Sequence, residues 1–295
     1  MSDGSHQELL GFSGQKLQEL KTVLKSMPDT DQNIGEAIFN RTLAELLEKQ
    51  PCAHLPIIHL VARTVEPRPI IHMEYFQFDL KGYLRQVGII GIDEIYGILH
   101  HLGIGLKYLH AQNFVHRDLK PGNSTLPFTN TKGLISVFIS LRKCSCGECS
   151  GLKWPNCRAV IGDFGLSKPV VDKDRSSNQA GTRSYYAPEL LLESQEYSKK
   201  TDMWGLGCVL VELASTATRG PIFPSEKHIV QYKDGDTNLD LKKEDNPSLS
   251  YTDRTNLNSL LHSLLKSNPD ERLSIDDFLL KLIGLMRERN NIHVQ

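Results

Sequence analysis

The stretch His116-Arg117-Asp118-Leu119-Lys120-Pro121-Gly122-Asn123 decides how the rest of this sequence is interpreted. It follows an amphipathic run, and a second acidic turn, Asp163-Phe164-Gly165, comes after a strand-like segment. In such an arrangement Asp118 could accept a proton from an attacking hydroxyl, and Lys120 could neutralise a transferring phosphoryl group. Asn123 and Asp163 could supply the hard oxygen ligands that Mg²⁺ prefers. Together the two motifs predict phosphoryl-transfer chemistry.

The order of the motifs says more than any one of them. Alone, His-Arg-Asp arises by chance, and Asp-Phe-Gly is often a simple turn. Here Asn123 lies five positions after Asp118, Asp-Phe-Gly follows, and Ala187-Pro188-Glu189 comes later still. Over roughly residues 56 to 282 the chain therefore resembles a protein kinase, whose signature motifs occur in this order. The resemblance implies ATP and Mg²⁺ as cofactors and a protein substrate.

Composition sets the outer limits of this interpretation. The chain has 295 residues, 39% of them hydrophobic, and 34 basic against 35 acidic side chains. This balance argues against a nucleic-acid partner, and no apolar run approaches the ~18 residues needed to span a membrane. The amino terminus lacks the features of a secretory signal, and six cysteines do not suggest a disulfide framework. We expect an intracellular, monomeric protein of the cytoplasm or nucleus, with no membrane partner.

The resemblance implies an α+β, two-lobed, protein-kinase-like fold. A small, mainly β N-lobe is expected over residues 1–74 and a large, mainly α C-lobe over residues 75–286, with a tail at 287–295. The small lobe is degenerate, because the family's G-x-G-x-x-G-x-V loop is represented only by Gly11-Phe12-Ser13-Gly14. The expected activity is transfer of the γ-phosphoryl group of ATP to Ser or Thr. The alternative is a pseudokinase or truncated kinase that serves as a binding or scaffold module.

Two interpretations of the first segment remain open. Leucines at helical spacing predict an amphipathic helix over residues 7–27, whereas Thr22 to Met27 resembles the family strand whose lysine holds the nucleotide phosphates. Lys25 is then either that lysine or a solvated helix residue. The next predicted helix, Glu36 to Gln50, would carry the glutamate that pairs with this lysine. Counting back from the His54-Leu55-Pro56 turn favours Glu45, which could equally be a surface residue.

The nucleotide-binding segment is expected after two short strands, Ile57 to Val65 and Ile70 to Tyr75. The following residues resemble the hinge between kinase lobes. The resemblance implies that the backbone around Glu74 and Phe76 binds the adenine edge, that Met73 lines the back of the pocket, and that Asp79 takes the ribose hydroxyls. Simple core packing of Met73 and Phe76 is the alternative, and it is compatible with a pocket.

Residues 125–156 look like an insertion between Asn123 and Asp163. Cys144, Cys146, Cys149 and Cys157 could supply four thiolates to zinc, but they lack the paired C-x₂-C spacing of most structural sites. A flexible surface loop is the stronger alternative, and an intron translated by mistake is a third. The apolar run from Leu134 to Leu141 would be unusual in an exposed loop.

The segment ending at Glu189 resembles the activation segment of serine/threonine kinases. This resemblance implies that Thr182 bonds the catalytic Asp and Lys, and that Lys120, two positions after Asp118, indicates Ser or Thr substrates. Arg117 would contribute to a basic pocket for a phosphorylated loop, with Ser176 and Ser177 as candidate phosphorylation sites. A plain solvated turn is the alternative for these two serines.

The remaining predictions concern the large lobe. Ile92 to Gln112 is expected to form a long helix, in which His100, His101 and His110 are ordinary helix residues. Asp202 is expected to cap a buried helix, and in the family an Asp here ties down the catalytic loop. Residues 225–250 are predicted to be a mobile loop. Helices are expected at Leu257 to Leu265 and Ile275 to Met286, and the resemblance implies an ion pair between Arg272 and Glu189.

Overall fold

A computed structural model describes residues 22–27, 30–63, 69–122, 137–140, 157–170, 183–191, 197–215 and 222–292. These ranges form a two-lobed α+β fold, as the sequence predicts. Within them, no helix combines the length and the apolar character that crossing a bilayer requires.

The small lobe contains a three-stranded antiparallel sheet and one helix. The strands are β1 (Thr22–Ser26), β2 (Ile58–Arg63) and β3 (Pro69–Glu74), in the order β1-β3-β2. Residues 22–26 are thus a strand, and the helical interpretation is wrong for them. In the register of this sheet Lys25 lies opposite Ile71. Sheet pairing overrides the helical spacing of the leucines here.

Helix α1 (Asp31–Lys49) packs against β2 and β3. It begins earlier than the sequence suggests, because the side chain of Thr30 accepts a hydrogen bond from the backbone N–H of Asn33 and caps it. Glu36, Phe39, Asn40 and Leu43 are the buried residues of this helix. Their spacing of three and four defines the face that is turned toward the interior.

The large lobe is built around two buried helices. Helix α3 (Ile92–Ala111) follows the short helix α2 (Leu80–Val87), and helix α4 (Lys199–Leu213) packs against it. The cap of α4 is Ser198, whose side chain accepts a hydrogen bond from the backbone N–H of Lys200. The prediction that Asp202 is the cap is wrong, because Asp202 lies inside the first turn and is fully buried.

Three further helices complete this lobe: α5 (Glu226–Gln231), α6 (Tyr251–Leu264) and α7 (Ile275–Ile292). Residues 225–250 therefore include a helix as well as turns. Helix α7 packs on α3 and extends past residue 286, where the sequence suggested the domain would end. The predicted ion pair is confirmed, because Arg272 Nη2 lies 2.6 Å from Glu189 Oε2, with both side chains buried.

A second sheet packs against α2 and α3 of the large lobe and has the order β4-β6-β7. Its strands are β4 (Phe78–Asp79), β6 (Val137–Ser140) and β7 (Arg158–Ile161). The interval predicted as an insertion thus contributes one strand to the fold. Val137 and Ile139 in this strand are fully buried, which explains the apolar run that seemed unusual for a loop. Strands β5 (Phe114–Val115) and β8 (Lys168–Pro169) form a separate two-stranded antiparallel sheet.

Candidate active site

The catalytic loop, residues 116–122 as far as the structure describes it, follows β5. Lys120 Nζ lies 2.6 Å from Asp118 Oδ2, and both side chains are almost completely buried. Asp202, at the beginning of α4, holds the backbone of this loop in place. Its two carboxylate oxygens accept hydrogen bonds from the backbone N–H groups of His116 and Arg117, each at 2.9 Å. The loop therefore holds Asp118 and Lys120 in one defined arrangement.

Asp202 also accepts a hydrogen bond from His110 Nε2, at 2.9 Å. Burial alone would raise the pKa of Asp202, but the hydrogen bond and charge of His110, together with the charge and backbone N–H of His116, lower it below its usual value. His110 thus has a structural partner in the site. The sequence assigned it no role beyond that of an ordinary helix residue.

The lysine cluster, formed by Lys25, Glu36 and Asp163, joins the two lobes. Lys25 Nζ lies 2.5 Å from Glu36 Oε1 and 3.3 Å from Asp163 Oδ1. Asp163 adopts a left-handed backbone conformation with a φ of 59°, which turns the chain at the end of β7. Lys25 is therefore a strand residue and not a solvated helix residue. Its ammonium group lies between two carboxylates.

Charge and burial act against each other in this cluster. Burial would lower the pKa of Lys25, but the charges of Asp163 and Glu36 and the hydrogen bonds to them raise it above its usual value. Burial raises the pKa of Glu36, and the charge of Asp163 adds to this effect, while Lys25 opposes it. The cluster is therefore held together by a lysine that remains protonated.

The glutamate partner of Lys25 is Glu36, and the prediction of Glu45 is wrong. Glu45 is exposed, whereas the side chain of Glu36 is only 5% exposed. The two residues are nine positions apart, which in an α-helix corresponds to a separation of about 13 Å. Counting back from a turn ignored the helical phase. The signal that could have identified Glu36 is its place on the same face as Phe39, Asn40 and Leu43.

Aromatic rings connect the lysine cluster to the catalytic loop. Phe164, which follows Asp163, stacks on Phe39 of α1 with ring centroids 5.0 Å apart. Phe39 also makes an edge contact with Phe114, and Phe164 makes one with His116 at 5.7 Å. The helix that carries Glu36 thus packs directly on the turn that carries Asp163.

The predicted hinge residues run from the end of β3 to the residue before α2. Met73 is opposite Val23 in the small sheet, and Phe76 is buried. The backbone N–H of Glu74 donates to the carbonyl oxygen of Ile57 at 2.9 Å. This contact joins the beginning of the hinge to the loop before β2.

Asp79 lies next to the catalytic loop. One of its carboxylate oxygens accepts a hydrogen bond from the backbone N–H of Gly82 and caps α2. A Cβ at Gly122 would lie 3.1 Å from the other oxygen, so the end of the loop packs directly on this carboxylate. Burial raises the pKa of Asp79, and the hydrogen bond from Gly82 opposes this rise.

Comparison with known proteins identifies the family of this chain. Residues 13–281 match the model of the protein kinase domain. The chain belongs to the protein kinase family. Mitogen-activated protein kinase 3 of Arabidopsis thaliana is 32% identical over 201 residues, which cover 65% of this chain and 46% of that protein.

Two further relatives have similar names. Mitogen-activated protein kinase 11 of Arabidopsis thaliana is 28% identical over 283 residues, covering 84% of this chain and 69% of its own length. Mitogen-activated protein kinase 5 of Oryza sativa subsp. japonica is 32% identical over 201 residues, covering 65% of this chain and 46% of its own. The kinase chain therefore spans about half the length of two of these three relatives.

Several predicted residues of the kinase lie outside the described ranges. They are Asn123, Ser176, Ser177 and Thr182, together with Cys144, Cys146 and Cys149. Cys157 is described, and it is buried beside Glu94. Burial and the charge of Glu94 raise the pKa of its thiol to about 12, which opposes the thiolate that zinc would need. Among the described residues, no group of three or more His, Cys, Asp and Glu side chains converges as a metal centre.

Arg117, the predicted regulatory arginine, is buried in the catalytic loop with a φ of 73°. Its guanidinium group lies over the ring of Tyr197, 3.6 Å from the ring centroid. This is a close cation–π contact, so Tyr197 helps to fix the orientation of Arg117.

Sequence reasoning missed one aromatic residue of the site, Phe138 in β6. Its ring stacks on Phe76 of the hinge with centroids 5.2 Å apart. It also lies against Gly162, where an added Cβ would come within 2.6 Å of the ring. Only glycine fits this position beside Asp163. The apolar run around Phe138 was the available signal, but it was assigned to an insertion.

Proposed function

We propose that this chain is a serine/threonine protein kinase that transfers the γ-phosphoryl group of ATP to a Ser or Thr hydroxyl of a protein substrate. One observation carries the proposal above all others. Lys25 of the small lobe contacts both Glu36 and Asp163, so the phosphate-binding lysine and the Asp-Phe-Gly turn are aligned. This alignment is the arrangement that phosphoryl transfer requires, because the lysine and the Asp-Phe-Gly turn act on the same nucleotide.

The catalytic loop supplies the residues that act on the acceptor. In the proposal Asp118 orients the substrate hydroxyl and accepts its proton. Lys120 contacts Asp118 at 2.6 Å, so it holds the carboxylate in place and brings a positive charge to the position of the transferring phosphoryl group. Both side chains are buried, which strengthens these electrostatic contacts because little water screens them.

The lysine cluster fits a nucleotide with Mg²⁺. Two carboxylates, Glu36 and Asp163, face one ammonium group, so the ionised cluster has a net charge of 1 − 2 = −1 and favours a cation. Asp163 offers the hard oxygen atoms that Mg²⁺ prefers, and Asn123 is proposed as the second protein ligand. When bound, the ion neutralises negative charge on the phosphate oxygens. Lys25 is proposed to hold the α- and β-phosphates.

The hinge is proposed to bind the adenosine part. The Glu74 carbonyl oxygen and the Phe76 backbone would bond the adenine edge, with Met73 at the back of the pocket. Phe138 stacks on Phe76 and would form the floor beneath the base. Asp79 is proposed to bind the ribose hydroxyls through the carboxylate oxygen that does not cap α2.

The class of acceptor and the regulation are proposed from motifs. Lys120, two positions after Asp118, favours Ser or Thr substrates. Arg117 is proposed to receive a phosphorylated activation segment, with Ser176 and Ser177 as the candidate acceptors of that phosphate. Thr182 is proposed to bond Asp118 and Lys120.

A second candidate function is a binding or scaffold module that retains the fold without the reaction. One observation favours it: Gly11-Phe12-Ser13-Gly14 provides two glycines where the family's phosphate loop has three. Because phosphoryl transfer depends on positioning and charge, loss of this loop would remove much of the rate even with Asp118 and Asp163 in place.

A thermal-shift titration with Mg²⁺ and ATP separates these functions at the binding step. A ligand at 100 times its dissociation constant stabilises the folded state by about 2.7 kcal/mol. We expect a magnesium-dependent shift in the wild-type chain that Asp163→Asn loses. The matched control is Asp276→Asn, because Asp276 is an exposed carboxylate on α7 and its replacement should leave the shift intact.

A phosphorylation assay on a general Ser/Thr acceptor protein tests the reaction itself. The wild-type chain should transfer phosphate, and Asp118→Asn should abolish transfer while retaining the thermal shift. Nucleotide binding without any transfer would overturn the kinase proposal and support the scaffold. Absence of a shift in a well-folded sample would also overturn the assignment of the nucleotide site.

A further inference from the structure

The hinge segment, residues 74–79, is attached at both ends to one pair of strands. It joins β3 of the small lobe to α2 of the large lobe, and the pair consists of the antiparallel strands β6 and β7. Arg158, the first residue of β7, contacts the beginning of the hinge segment, and β6 pairs with its end. This strand pair therefore contacts both ends of the segment that joins the two lobes.

The contact at the beginning of the hinge is an ion pair. Arg158 Nη2 bonds Glu74 Oε1, and the two side chains are 15% and 14% exposed. The other carboxylate oxygen of Glu74 accepts a hydrogen bond from the backbone N–H of Ile57, at 3.4 Å. Ile57 belongs to the loop between α1 and β2, so one carboxylate connects the small lobe with β7.

The remaining contacts continue along the hinge. The guanidinium group of Arg158 lies 5.8 Å from the ring centroid of Phe76, and Phe138 stacks on the same ring. Phe78 and Asp79 form strand β4, which pairs with Ile139 and Phe138. Among these contacts, only the Arg158–Glu74 bond is ionic, and its low exposure protects it from screening by salt.

We propose that Arg158 is a positioning residue, which acts through Glu74 to hold the hinge in the conformation that presents its backbone to a nucleotide. The backbone N–H of Ile57 holds the Glu74 carboxylate on the side of the small lobe, so movement of β7 away from that lobe would lengthen the bond from Arg158. The Arg158–Glu74 pair thus opposes hinge opening and slows nucleotide exchange. Its link to a nucleotide rests on the proposed function, whereas the restraint on the hinge does not.

Hydrogen exchange of the hinge amides in the nucleotide-free protein measures the restraint directly. We expect Arg158→Gln to accelerate exchange over residues 74–79 by about fivefold, which corresponds to a coupling of about 1 kcal/mol at 25 °C. Glu74→Gln should have a similar effect, and the double variant should exchange no faster than either single variant. Arg158→Lys keeps the charge but loses the planar fork, so its effect should be intermediate.

Arg289→Gln is the matched control, since Arg289 forms ion pairs with Asp93 and Asp253 away from the hinge. It should leave hinge exchange unchanged. Wild-type exchange rates in Arg158→Gln would overturn the proposal, as would equal acceleration in Arg289→Gln or additive effects in the double variant. If Arg158→Gln melts at a markedly lower temperature, the test is hinge exchange in Arg158→Lys instead. Exchange in Arg158→Lys at the wild-type rate would then overturn the proposal.

Dissociation of a fluorescent ADP analogue extends the test to the ligand. Arg158→Gln should release the analogue several-fold faster than the wild type, and Arg289→Gln should not. A wild-type chain that binds no nucleotide would contradict the proposed function, while the exchange rates of the hinge amides would still decide whether Arg158 restrains the hinge.

Discussion

The catalytic loop and the lysine cluster face the same site but are stabilised in different ways. The loop is fixed within the large lobe, because buried Asp202 accepts hydrogen bonds from His116, Arg117 and His110. The lysine cluster depends on contacts between lobes, since Lys25 and Asp163 are 138 positions apart. We therefore expect the catalytic loop to be part of the folding core, and the cluster to be breakable without unfolding the protein.

The largest effect is expected where the catalytic loop is anchored. Asp202→Ala removes one carboxylate and leaves two buried backbone N–H groups without their acceptor. We expect the free energy of unfolding, measured by urea denaturation, to fall by about 4 kcal/mol. Asp276→Ala, at an exposed position, should change it by less than about 0.5 kcal/mol. Nearly equal stabilities for the two variants would show that the loop is not part of the core.

Breaking the lysine cluster should affect the reaction more than the fold. Glu36→Gln removes the charge that orients Lys25, so the rate of phosphoryl transfer should fall by about 100-fold. Glu45→Gln is the matched control, because Glu45 lies on the exposed face of the same helix. Its rate should stay within about twofold of the wild type. A large loss of rate in Glu45→Gln and none in Glu36→Gln would instead support Glu45 as the partner of Lys25.

Acid should destabilise the contact between α1 and the large lobe. His54, in the loop after α1, stacks on His101 of α3 with ring centroids 4.2 Å apart, near His100 and Arg158. Burial lowers the pKa of His54 to about 4 and that of His101 to about 2. Both are far below the value near 6.5 that histidine has in an unfolded chain.

The sign of this effect follows from proton uptake. As the pH falls from about 6.5 to 4, the unfolded chain protonates these histidines and the folded protein does not, so stability decreases. At pH 5 we expect a loss of about 2 kcal/mol for each histidine relative to pH 7. Thermal melting at both pH values checks this. His54→Gln should flatten the pH dependence, and His228→Gln, at an exposed position, should not; equal slopes would contradict the prediction.

The smallest effect concerns the aromatic contact between the two regions. Phe39→Leu removes the stacking on Phe164 and the edge contact with Phe114. The free energy of unfolding should fall by about 1 kcal/mol, measured by denaturation. Ile38→Ala, on the exposed face of α1, is the control and should cost less than about 0.5 kcal/mol. If Phe39→Leu is no worse than this control, the stacked rings do not couple the helix to the Asp163 turn.

Motifs whose residues act over short sequence distances could be recognised from the sequence. Asp118 and Lys120 are two positions apart, and their contact lies within one loop. Strand β3 and helix α3 were also predicted nearly to their ends. Partners that come from distant segments were harder to identify. The ion pair of Arg272 with Glu189 was predicted only because the family resemblance implied it, and Glu36 was missed although its helix was found.

The sequence by itself identified a resemblance to the protein kinase family and located the motif around Asp118, because the residues of that motif are neighbours in the chain. Only the tertiary structure decided that Glu36 pairs with Lys25, that residues 137–140 form a strand, and that Arg158 contacts Glu74. The physical reason is that packing against distant segments determines which face of a helix is buried and which strands pair. A residue's immediate neighbours in the chain specify neither of these.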